Sequence, residues 1–168
     1  MSEVKIADAV LQAAAKEGMD QFITVVHEAI AQHVGGELNA DSMQQLNTQQ
    51  ITLWGYMLLR EEVMDGGFVQ LIHNGYGPFF FDNPFAKILR DWGLRDLAKL
   101  MFNAQNAYRK HRDELTQPCT DEEFMALFER FPIFDDLDDE FVENEEKYTA
   151  MIAHYVDENI HSFIHIEM

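Results

Sequence analysis

The sequence predicts an all-α fold: a single compact domain of about seven helices with long connecting loops. Three observations predict it. Apolar residues recur at helical spacing through most of the chain. Glycine and proline clusters divide these periodic stretches from one another. No series of alternating apolar and polar residues marks a set of paired strands.

Residues 3–16 place Ile6, Ala9, Val10, Ala13 and Ala14 at helical spacing, and Gly18 breaks the pattern. Phe22, Val25, Val26, Ala29 and Ile30 share a face of a second helix, which Gly35-Gly36 ends. These two form an N-terminal helical hairpin, 1–36, beside a main helical body over 45–160. Thr48 is the expected cap of a third helix with Ile51, Trp54, Gly55, Leu58 and Leu59 as its buried stripe. Gly66-Gly67 interrupts it, and a short helix follows from Phe68 to His73. Asn74-Gly75-Tyr76-Gly77-Pro78 reads as a turn, and Phe79-Phe80-Phe81 as a loop that plugs the core. A short helix over 84–91 has Pro84 in its first turn. Leu94, Leu97, Met101, Ala104 and Tyr108 define a long helix to Arg112. Thr120-Asp121-Glu122-Glu123 is a capping-box pattern that opens a helix ended by Pro132. The last helix runs over 138–159, and the tail, 161–168, is read as a short strand or coil.

Hydrophobic residues make up 47% of the 168, too many for a disordered chain despite its charge. A domain of this size needs no disulfide or metal to fold, and the one cysteine, Cys119, suits a reducing compartment. Neither a signal-peptide pattern nor an apolar run of about 18 residues is present. The expected location is cytoplasmic.

Charge is the informative quantity. The formal net charge is −18, and residues 113–168 carry 17 acids against two bases. Residues 1–112 carry 13 acids and 10 bases. Such a surface repels nucleic acid and anionic membranes and attracts basic proteins. From Asp135 to Glu146, eight of twelve residues are acidic: Asp135, Asp136, Asp138, Asp139, Glu140, Glu143, Glu145 and Glu146. The preceding helix adds Asp121, Glu122, Glu123 and Glu129. Acids at a helix N-terminus favour its dipole, which accounts for Asp138 to Glu140. Further along, like charges four apart cost a few tenths of a kcal/mol per pair, so Glu143, Glu145 and Glu146 need another reason. A solvated, solubilising face is one. The other is imitation of a phosphate backbone, which DNA-binding proteins read largely as fixed negative charge.

Other motifs fail on inspection. An EF-hand starting at Asp136 would put Phe141 where glycine is required and Lys147 where glutamate is required. Glu158-Asn159-Ile160-His161 matches half of a di-iron signature, without the second pair. His154, His161 and His165 are read as surface residues. Cys119 precedes a helix, yet its acidic neighbours disfavour a thiolate. Gly66-Gly67 lacks the Lys-Ser/Thr of a phosphate loop and is read as close backbone packing. No catalytic residue, cofactor or metal site is expected.

The segment from Glu62 to Gly75 carries the pattern Glu-x-x-x-Gly-Gly-Phe-x-Gln-x-x-x-Asn, with Glu62, Gly66, Gly67, Phe68, Gln70 and Asn74 at its fixed positions. Together with Trp54 and the helix that begins Asp138-Asp139-Glu140-Phe141, it resembles a bacterial family that includes DNA-mimic proteins. The resemblance covers about 45–160. It implies an acidic homodimer that occupies the DNA-binding surface of a helix-turn-helix transcription factor and competes with DNA. The alternatives are an acidic adaptor or chaperone for a basic protein without DNA mimicry and, less favoured, a metal-dependent enzyme. The Gly-Gly-Phe motif marks the fold, whereas mimicry depends on the carboxylates above.

Overall fold

The structure is a computed structural model that describes residues 3–168. Among these residues nine α-helices dominate: α1 Asp8–Glu17, α2 Met19–His33, α3 Ala40–Gln44, α4 Thr48–Leu71, α5 Gly77–Phe81, α6 Phe85–Asp91, α7 Arg95–Thr116, α8 Asp121–Arg130 and α9 Ile133–Glu158. A π-helical turn spans Ile72–Tyr76 and a 3-10 turn Ile160–Ser162. The all-α expectation holds. Two three-residue strands, β1 Lys5–Ala7 and β2 His165–Glu167, pair in parallel with Ile6 opposite Ile166.

Contacts along the chain gather into two units, Met1–Met57 with Lys147–Met168, and Leu58–Glu146. In the first, α1 and α2 form the expected hairpin. Gly18, at φ 131°, is the hinge between them, and Leu11, Ala14, Phe22, Ile23, Val26 and Ile30 are buried. The start of α4 contributes Leu53, Trp54 and Tyr56, and the end of α9 contributes Tyr148, Ile152 and Val156. Two buried hydrogen bonds join distant segments of this unit. Tyr56 Oη and Thr149 Oγ1 lie 2.8 Å apart, and the Gln50 amide donates to the Phe163 carbonyl at 2.8 Å.

The first residues differ from expectation. Lys5–Ala7 is a strand, so α1 begins only at Asp8. No pattern in the sequence announces α3, a single turn that a reciprocal cap between Asn39 and Ser42 stabilises. The cap of α4 is Asn47 rather than Thr48: Asn47 Oδ1 accepts the Gln50 N–H at 2.8 Å, and Gln50 Oε1 accepts the Asn47 N–H at 3.0 Å. An amide pair three residues apart serves here as a capping box.

The second unit holds the end of α4, α5 to α8 and the start of α9. Phe79-Phe80-Phe81 belongs to α5 and not to a loop, with Phe80 and Phe81 buried as expected. The Gln105 amide donates to the Phe81 carbonyl at 2.6 Å, and the Asn83 amide reaches the carbonyls of Pro78 and Phe79. The Pro78 carbonyl also accepts the Asp82 N–H at 3.0 Å, while for Phe79 and Phe81 the side-chain amides serve carbonyls at the end of a short helix. Residues 74–78, expected as a turn, are instead the end of the π-helical stretch and the start of α5. α7 extends to Thr116, past a distortion at His111. α9 begins five residues earlier than expected, because Pro132 both ends the preceding stretch and immediately precedes the new helix.

Candidate functional site

α9 positions most of the acids. A helix turns about 100° per residue, so Phe134, Leu137 and Phe141 share one face, and all three are buried. Asp135, Asp139, Glu143 and Glu146 fall on the opposite face at i, i+4, i+8 and i+11, flanked by Asp136 and Glu140, and all six are exposed. They occupy about 16 Å of helix axis. That is about one carboxylate per 3 Å, close to the ~3.4 Å per charge along one DNA strand. Asp135 and Asp136 lie in the first turn, where the helix dipole offsets their repulsion.

Asp138 and Glu145 do not join this row. Each lies on the edge of α9 nearest the buried face. Asp138 is half-buried, and its Oδ1 accepts the Phe68 N–H at 2.8 Å. Burial pushes its pKa up to about 6. The Phe68 bond opposes that rise, and the charges of Asp135 and Asp139 add to it. Glu145 pairs with Arg60 at 3.5 Å, with both side chains less than one-fifth exposed. These two acids hold α9 against the end of α4.

On α8, Asp121, Glu122, Glu123 and Glu129 are all exposed. Glu123 also acts locally. Its carboxylate accepts the Thr120 N–H at 3.3 Å while Thr120 Oγ1 accepts the Glu123 N–H at 3.2 Å. The expected capping box is therefore formed. Arg130 pairs with Glu114 and so ties the end of α8 to that of α7.

The glycine motif is a kink that receives Asp138. α4 continues through Gly66 but is non-helical at Gly67, where φ is 77°. A Cβ at Gly67 would overlap the Asp138 carboxylate, and one at Gly66 would overlap the Gln70 side chain. Phe68 is fully buried. Glu62 closes the motif: its Oε2 accepts the Gln70 amide at 2.8 Å and the Asn74 amide at 3.1 Å. Every fixed residue of the pattern thus serves the kink or its bracing.

The remaining candidates are dispersed. His154 pairs with Glu158 at 2.9 Å, and His165 lies 3.8 Å from Glu3. Among the described residues no three His, Cys, Asp or Glu side chains gather to hold a metal ion, and no helix is long and apolar enough to cross a membrane. Cys119 Sγ lies 3.7 Å from His73 Nε2, a contact that the sequence does not signal. A second feature is legible only in a narrower stretch. Residues 84–112 carry seven bases against two acids, a net of +5 hidden in the near-neutral total for 1–112.

The family model described as DMP19-like protein matches residues 44–159, which is α4 to α9 with the turns between them. The chain belongs to the DMP19-like family. It is 32% identical over 127 residues to the DNA mimic protein DMP19 of Neisseria meningitidis serogroup B, an alignment that covers 75% of this chain and 77% of that protein. The DMP19-like region contains the kink, its Asp138 partner and the whole acidic row, while the α1–α2 hairpin lies outside it.

Proposed function

We propose that the protein is a DNA mimic, which binds the DNA-binding surface of a basic transcription factor and thereby excludes DNA. The observation that carries this reading is the set of six exposed carboxylates on α9, four in line and two beside them, whose mean density along the axis is close to that of a phosphate strand. Membership of a family with a relative named a DNA mimic supports it. Asp135, Asp136, Asp139, Glu140, Glu143 and Glu146 are the proposed primary contacts, and Asp121, Glu122 and Glu129 the secondary ones. Asp138, Glu145 and Glu123 orient or cap the helices that present them.

The action is competitive binding, not catalysis. Lys and Arg that would meet phosphates meet carboxylates instead, and complementary fields speed encounter and make it sensitive to salt. The partner is a helix-turn-helix protein and the site of action the cytoplasm. Helix-turn-helix dimers bind half-sites about 34 Å apart, and a homodimer of this chain would offer two acidic rows to such a pair. A gel-shift competition tests the proposal, using a helix-turn-helix repressor from the same cell, its labelled operator and increasing amounts of the protein. Release of free operator at low salt, reversed as salt rises, is the expected result. Retention of operator across a panel of such repressors would refute it.

A further inference from the structure

The positive island at 84–112 lies on α6 and α7. Its cations Lys87, Arg90, Arg95, Lys99, Arg109 and Lys110 are all exposed. None of these six side chains makes an ion pair or hydrogen bond among the described residues, whereas the neighbouring Arg112 meets Asp82 at 3.4 Å. On α7, Arg95, Lys99 and Lys110 share one face with the exposed amides Asn103 and Asn106, at i, i+4, i+8, i+11 and i+15. The opposite face buries Leu97, Met101, Ala104 and Tyr108. The result is a straight row of donors about 22 Å long.

Six unpaired cations are out of place in a chain with 30 acids and 12 bases. Interspersed charges would relieve the self-repulsion of a net −18. Segregation forgoes that relief. It also narrows the choice of partner. A uniformly basic protein is attracted by α8 and α9 but repelled by α6 and α7. Duplex DNA, with about one charge per 1.7 Å of axis, meets the opposite difficulty. Only a partner that carries both signs gains from both faces.

We propose that the cationic row of α7 is a second docking surface, which receives a carboxylate-rich patch of the protein partner and selects it from other basic proteins. The acidic half of this arrangement rests on the DNA-mimic reading, whereas the cationic half can be measured alone. Like-charge contact with the wrong partner is the device that separates partners of similar overall charge.

The test is fluorescence anisotropy in about 0.1 M salt, where the Debye length of ~10 Å screens distant charges but not contacts. Three probes are titrated: oligo-glutamate, oligo-lysine and a duplex DNA, each of about twenty units, against the full chain and its R95E/K99E/K110E variant. The three positions are exposed, and thermal melting verifies that the variant is folded. The expected result is that the wild type binds oligo-glutamate in preference to the duplex and the variant loses this at least ~10-fold. Oligo-glutamate binding that is absent, or equal in both proteins, overturns the proposal. So does preference for the duplex, which would make the row a nucleic-acid surface. Oligo-lysine reports on the other face: its failure to bind the wild type would count against the acidic row and leave the cationic result standing.

Discussion

The two edges of α9 carry the same kind of residue for opposite purposes. Outward, Asp135, Asp139, Glu143 and Glu146 are exposed. Inward, Asp138 and Glu145 are held by the Phe68 N–H and by Arg60. They are neighbours in sequence, and a count of acids treats them alike. A rotation of about 100° per residue decides which present charge and which fix the helix. An acidic surface of this kind therefore needs acids that are not part of it, and the DMP19-like motif supplies the receptor for one of them.

The largest expected effect separates the edges by stability. Glu145→Ala removes the carboxylate that Arg60 meets in a mostly buried place, and loss of one partner of a buried pair costs up to about 3–5 kcal/mol. Glu143→Gln, two residues away and exposed, should stay within about 0.5 kcal/mol of wild type. Chemical denaturation of both variants measures the difference, and equal stabilities would erase the distinction. Gly67→Ala comes next. It places a side chain at φ 77° and against Asp138, with an expected loss of about 1–3 kcal/mol, and the G67A/D138A double variant should recover part of that by removing the overlap.

Asp138 then gives the inward edge a pH signature. Its folded pKa of about 6 lies above the ordinary 3.8, so between these values the folded state holds more protons than the unfolded one. Stability from this group is fully present below about 3.8 and is lost as pH rises through about 6. Asp138→Asn keeps an acceptor for the Phe68 N–H and removes the titration. Unfolding curves measured at intervals from pH 4 to pH 7 should have a flatter pH dependence in this variant than in wild type. An unchanged slope would mean that Asp138 does not titrate there.

Much of this is legible in the sequence and some is not. The helical hairpin, the capping box at Thr120 and the acidic stretch follow from local pattern, because each depends on residues within a few positions of one another. The orientation of Asp138 and Glu145 depends on Phe68 and Arg60, some seventy and eighty-five residues away in the chain, and no local rule supplies that. The early start of α9 is hidden because Pro132 reads first as a terminator. Phe79 to Phe81 read as loop because the glycines around them outweigh a five-residue helix held by the amides of Gln105 and Asn83. The cationic island needs only a finer window of charge.

The smallest effect on the fold is expected from the outward edge. Neutralising Asp135, Asp139, Glu143 and Glu146 together removes like-charge pairs worth a few tenths of a kcal/mol each, so the D135N/D139N/E143Q/E146Q variant should melt no lower than wild type. Its effect on function should be the greatest of all. The most direct measurement is the operator competition with this variant beside a control, E17Q/E28Q/E37Q/D41N, which removes four exposed carboxylates from the other unit. If the row on α9 is the contact, the control releases operator as wild type does and the α9 variant fails. Equal loss in both would mean that net charge alone acts and that the row on α9 has no special part.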